Sequence, residues 1–157
     1  MLFSEDKYRY MYAALQEAEK AFEEDEVPVG AVVVHNNRII GRGYNQIEKL
    51  KDATAHAEMI ALTSASNHLK SWRLNECSIY VTLEPCIMCT GALLSSRIEN
   101  LYFAASDSKF GACGSLHNLA ENSKTNHKIK VYSGILAQES EDLLQSFFAK
   151  KRLESKK

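Results

Sequence analysis

The spacing of hydrophobic positions changes character along the chain. After Ser4, a candidate N-cap followed by two acids, Tyr8, Met11, Tyr12, Leu15, Ala18 and Phe22 recur largely at three- and four-residue steps. That spacing predicts an amphipathic helix, ended by Glu23-Glu24-Asp25-Glu26 and Pro28. Two β-rich runs follow, VGAVVV (29–34) and RIIGRGY (38–44), around His35-Asn36-Asn37, which reads as a hairpin. Residues 55–68 are Ala-rich and helical, with Thr54 or Asp52 placed to cap them. SIYVT (78–82) reads as a buried strand, and Pro85 sits where a first-turn proline would open a helix over 86–96. LYFAA (101–105) and IKVYS (129–133) give two more strands, and a final helix spans about 136–153. The order α-β-β-α-β-α-β-β-α predicts an α/β fold with a mixed five-stranded sheet between helical layers. The irregular stretch 106–127 is the longest loop, a common home for function.

Composition narrows the class. At 157 residues, 45% hydrophobic and 25% charged, the chain reads as one globular domain covering 1–157. The net charge of −1 argues against a general DNA-coating protein, but it hides two opposed halves. Residues 1–96 carry 9 basic against 13 acidic side chains, and residues 97–157 carry 10 against 7. Half of those ten lie in the last turns: Lys150, Lys151, Arg152, Lys156 and Lys157. A basic end permits an anionic partner, although such a tail can also be a solvated helix end. No run approaches the apolar length of a membrane span, and the acidic N-terminus is unlike a signal peptide. A cytoplasmic location is therefore expected. There, four cysteines are not a disulfide framework, so Cys86-Ile-Met-Cys89 suggests metal or redox chemistry.

Two helix starts carry the candidate chemistry, His56-Ala57-Glu58 and Pro85-Cys86-Ile87-Met88-Cys89. Cys86 and Cys89 aim two sulfurs at one point, and His56 supplies a third ligand. Three protein ligands describe a catalytic zinc, since a structural zinc would have four. Two thiolates neutralise the ion and weaken it as a Lewis acid, so a nearby carboxylate is needed to take the water proton. Glu58 is placed for that role. Zinc-bound hydroxide attacking an amidine-type carbon, with Glu58 passing the proton to departing ammonia, is hydrolytic deamination. His-x-Glu followed by Pro-Cys-x-x-Cys is the signature of zinc-dependent nucleobase deaminases. The competing readings are a structural zinc knuckle and a redox cysteine pair. Cys77 and Cys113 read as small buried hydrophobes.

VPVGAVVV (27–34), GYN (43–45), DATAHAEMIAL (52–62), YVTLEPCIMCTGALLSSRI (80–98), GACGS (111–115), NH (126–127) and GIL…LLQSFFAKKR (134–152) resemble the bacterial tRNA-specific adenosine deaminase family over nearly the whole chain. The resemblance implies a cytidine-deaminase-like three-layer α/β/α sandwich, a homodimer and one Zn²⁺ per subunit. It also implies a tRNA anticodon stem-loop as partner, with wobble adenosine converted to inosine by attack at C6. Carried over by position, His56, Cys86 and Cys89 would hold zinc and Glu58 would shuttle the proton. Asn45 would bond the purine edge, Ala57 would hold the base through its N–H, and Val29 and Leu83 would wall it. Asp107, Lys109, Phe148, Lys150, Lys151 and Arg152 would meet RNA. From the residues alone, Asn45 could instead close the hairpin, and Val29 could be plain strand core. Ser106, Tyr44 and Cys113 depart from the commoner Arg, Trp and Ala. The alternatives are a free-base or nucleoside deaminase acting on guanine or cytosine, and a catalytically silent RNA-binding subunit; Glu58 speaks against the second.

Overall fold

The computed structural model describes residues 3–122 and 124–156, so Lys157 of the basic tail lies outside the described residues. Helix α1 (Glu5–Glu23) begins after Ser4, as expected, with Glu5 and Asp6 beside the positive end of its dipole. Its buried stripe differs from the expected one. Tyr12 is 57% exposed, whereas Met11, Ala14, Ala18 and Ala21 are fully buried. Small side chains let α1 lie close on the sheet, and a Cβ on Gly30 would sit 2.1 Å from the Ala14 carbonyl oxygen. The helix closes on the C-cap Glu24, and Asp25, with φ of 64°, turns the chain away before Pro28.

Strands β1 (Gly30–His35) and β2 (Arg38–Tyr44) pair antiparallel around Asn36 and Asn37, with φ of 50° and 61°. Two consecutive left-handed residues make a two-residue hairpin turn matched to strand twist. β3 (Ser78–Leu83) pairs antiparallel with β1 and parallel with β4 (Asn100–Ala105), which pairs parallel with β5 (Lys130–Ser133). The sheet order is β2-β1-β3-β4-β5, the mixed five-stranded sheet expected. Its two faces alternate along each strand. Val32, Val34, Tyr80, Tyr102 and Ala104 pack with α1. Ala31, Val33, Ile79, Val81, Leu101 and Phe103 face the opposite core, shared with Ala57, Ala61 and Ala65 of α3 (Ala57–Leu69) and Leu93 of α4 (Ile87–Ser95). Gly41 and Gly43 let α3 approach β2, where Cβ atoms would lie 2.5 and 2.4 Å from the carbonyl oxygens of Ala61 and Ala57.

Two helix starts differ from expectation. α3 begins at Ala57 with His56 as N-cap, and α4 begins at Ile87 with Cys86 as N-cap. Asp52 instead accepts from the Thr54 N–H at 2.8 Å, tying the preceding turn, and Pro85 precedes the cap rather than opening the first turn. One short helix was not anticipated, α2 (Ile47–Leu50), whose first N–H groups are held by the distant Glu26 carboxylate at 2.8 and 3.0 Å. The last helix, α5 (Ala137–Ser155), is tied to the end of β3 by Ser140 Oγ donating to the Thr82 carbonyl at 2.5 Å. Phe147 of α5 packs edge-on against Phe22 of α1. Among the described residues, no helix is long and apolar enough to cross a membrane.

Candidate active site

The carboxyl ends of β2, β3 and β4 and the start of β1 open on one end of the sheet, bringing Asn45, Leu83, Ser106 and Val29 to the same cavity of about 1010 Å³. Such ends are the usual ligand site of open α/β sheets. The floor comes from the two helix starts. Both cap residues have extended backbones, His56 with ψ of 153° and Cys86 with ψ of −179°, and neither side chain is spent on capping. Each is therefore free to point away from its helix and toward the other.

His56 Nδ1 lies 3.5 Å from Cys89 Sγ and 3.7 Å from Cys86 Sγ. A tetrahedral zinc, with bonds of about 2.3 Å to sulfur and about 2.0 Å to nitrogen, separates such atoms by about 3.6 Å. The donors fit. They form the one group of three potential metal-binding side chains found among the described residues. The Cys89 thiol donates to the Cys86 sulfur, which draws Cys86 down to about 3 and, with burial, drives Cys89 up. The contact with Cys86 also raises His56. These three side chains are the ones that would hold a divalent cation.

Glu58, in the first turn of α3, is 4% exposed, and burial raises its carboxyl to about 7. That value near neutrality suits proton transfer in both directions. Ala57, fully buried, precedes it on the floor, and the first-turn N–H groups of a helix have no intrahelical partner. Asn45 serves the hairpin: its Nδ2 donates to the Val27 carbonyl at 3.1 Å and its Oδ1 accepts from the Ile47 N–H at 3.2 Å. It also lines the cavity. Val29 and Leu83 line the wall.

The rim is organised by Glu84, which the sequence reading passed over. It is 3% exposed and accepts from the N–H groups of Asp107 (3.1 Å), Cys113 (3.0 Å) and Ser115 (3.0 Å), and from the Ser115 hydroxyl. Burial opposes its charge, but these donors outweigh burial and hold the carboxyl below its ordinary value. The loop wraps so closely that a Cβ on Gly111 would meet the carboxylate at 2.3 Å. The available signal was a lone acid at the end of a buried strand, directly before Pro85. Asp107, Lys109 and Phe148 line the cavity, together with the unanticipated Phe110, Leu144 and Gln145. Lys150, Lys151 and Arg152 do not. Lys150 lies over the Phe22 ring, and Lys151 pairs with Asp25 at 2.5 Å. Cys77 and Cys113 are buried free thiols, raised by burial to about 11 and 12.

A sheet of this topology with a His-Cys-Cys cluster and a buried glutamate at its carboxyl end defines a deaminase of the cytidine-deaminase-like fold. The chain belongs to the MafB19-like deaminase family, matched over residues 5–152. It is 48% identical over 155 residues to the tRNA-specific adenosine deaminase of Haemophilus influenzae, covering 98% of this chain and 88% of that one. A solved structure from work on A-to-I editing by tRNA:A34 deaminases at the wobble position of transfer RNA is similar at 42% identity, with a TM-score of 0.83, covering 86% of this chain and 98% of that chain. Guanine deaminase from Nitrosomonas europaea shares the fold at 24% identity and a TM-score of 0.76, covering 95% of this chain and 87% of that chain. The family resemblance read from the motifs is borne out by these relatives.

Proposed function

We propose that this protein deaminates the wobble adenosine of a tRNA anticodon loop to inosine, releasing ammonia. The observation that carries the reading is the near-full-length likeness to tRNA-specific adenosine deaminases in a chain whose His56, Glu58, Cys86 and Cys89 converge on one cavity. His56, Cys86 and Cys89 would hold one zinc per subunit, and zinc so bound supplies the acidity that makes water a nucleophile at neutral pH. Val29 and Leu83 would flank the purine, Asn45 would bond its edge with the amide hydrogen and lone pair the hairpin leaves over, and the Ala57 N–H at the helix start would hold the base. Glu58 accepts the proton of the attacking water and delivers it to the ring nitrogen. It then carries the proton of the new hydroxyl to the amino group, so that the C6–O bond formed in the attack becomes a carbonyl as the C6–N bond breaks and ammonia leaves. Burial keeps bulk water from competing for that proton.

The polymer is met at the rim by Asp107, Lys109 and Phe148. The basic residues Lys150, Lys151 and Arg152 extend that surface along α5 by their charge. A homodimer and a cytoplasmic location, where four free thiols persist, complete the proposal. Purified zinc-loaded protein is expected to convert wobble adenosine in an anticodon stem-loop. Turnover of free guanine or cytosine with the stem-loop left unchanged would replace this reading with a free-base deaminase.

A further inference from the structure

Phe110 is 68% exposed, yet it stands on a rigid segment. The Asp107 carboxylate accepts from the N–H groups of Lys109 (3.0 Å) and Phe110 (3.2 Å), and the Gly111 N–H reaches the Asp107 carbonyl at 2.9 Å. The Ala112 N–H is bonded to the Pro85 carbonyl at 2.9 Å, one residue before the metal-binding Cys86. Glu84 clamps the same loop from below. Among the described residues, Phe110 joins neither buried core cluster and makes no aromatic pair, so packing within this chain gives no reason for a large ring here. It lines the mouth of the cavity beside Lys109.

We propose that Phe110 is a substrate-binding contact on which a nucleobase immediately next to the reacting adenosine stacks. This rests on the functional reading above. A nucleotide whose base enters the cavity keeps its neighbours tethered within one backbone unit, so one of them must cross the rim. In a single-stranded loop those bases are unstacked and each presents a π-face, which aromatic side chains recognise. A ring on a fixed backbone has only its two side-chain torsions to order, so little of the stacking gain is lost to entropy. Lys109, adjacent in sequence, supplies charge for the phosphate between the two nucleotides.

The test uses the zinc-loaded full chain, a stem-loop with wobble adenosine, and two further stem-loops made abasic at its 5′ or its 3′ neighbour. Wild type, Phe110→Ala and Phe110→Trp are compared for KM, kcat, zinc content and sedimentation. The expected result for Phe110→Ala is a KM raised by about tenfold, at unchanged zinc content and kcat. One abasic stem-loop costs wild type a similar factor and costs Phe110→Ala nothing further, and Phe110→Trp restores KM. Unchanged kinetics in Phe110→Ala, abasic penalties equal in wild type and variant, or a loss that tracks a change in sedimentation would each overturn the proposal. The last outcome would mean that a second copy of the chain covers the ring. Failure of wild type on the intact stem-loop would instead overturn the functional reading itself.

Discussion

The floor and the rim of the cavity are built by opposite means. The floor is regular structure: His56 and Cys86 cap two helices whose first turns carry Glu58 and Cys89, all backed by the buried core. The rim is irregular chain, held in shape by two carboxylates, Glu84 below and Asp107 within the loop. Chemistry that needs fixed angles sits on elements whose geometry the backbone enforces. The rim, where recognition of a large partner is proposed, is a loop whose conformation depends on a handful of hydrogen bonds. Damage to the floor should therefore abolish turnover, and damage to the rim should weaken substrate capture while leaving the metal in place.

The largest expected effect is that of Glu58→Ala, which should lower kcat by about 10²–10⁴-fold while zinc content stays at the wild-type level. Loss of zinc along with activity would make Glu58 structural rather than a proton carrier. Next is Gly43→Ala, whose methyl would be driven against the Ala57 carbonyl oxygen at 2.4 Å. Because that backbone cannot yield without moving the His56 cap, melting should reveal a loss of about 3 kcal/mol with weakened zinc affinity. A stable variant with unchanged zinc affinity would show that the close approach does not position the floor.

A pH dependence separates floor from rim in the metal-stripped protein. Glu58, raised from 4.5 to about 7, holds its proton more tightly folded than unfolded. Its contribution is thus fully present below pH 4.5 and is lost as pH rises through about 7. Glu58→Gln, which keeps the neutral form, should raise stability by up to about 3 kcal/mol at pH 8 and by little at pH 4. The sign is opposite for Glu84, held below its ordinary value, whose contribution is lost on acidification. Smallest is Glu84→Gln, which sets an amide donor against N–H groups. It should cost about 2 kcal/mol in chemical unfolding and raise KM with zinc retained. An unchanged KM would detach the rim from substrate capture.

The floor was legible in the sequence because its side chains are chemically unusual and closely spaced, and because the Ala-rich run 55–68 and the position of Pro85 place both motifs near helix starts. The N-caps of α3 and α4 lie a residue or more from the expected positions. Asp52 and Thr54 carry the ordinary capping signal but use it to tie the preceding turn. Helix α2 left no periodic trace, since its four residues are held by Glu26, 22 positions away from Glu48. Tyr12 fits the helical period yet faces out, because close packing of α1 selected alanines for the buried stripe. The rim was the least legible region. Glu84 looks like any acid until its loop closes over it, and no local pattern marks Phe110 as part of a cavity.

If the proposed function holds, this floor acts on an adenosine presented by RNA. The most direct test is a single-turnover reaction of the zinc-loaded protein with an anticodon stem-loop holding adenosines at the wobble and other loop positions, followed by nucleoside-resolved sequencing of the product. Inosine is expected at the wobble position alone with wild type, and none with Glu58→Ala. Intact adenosine at that position with wild type, under conditions where free guanine or cytosine is turned over, would contradict the proposed function.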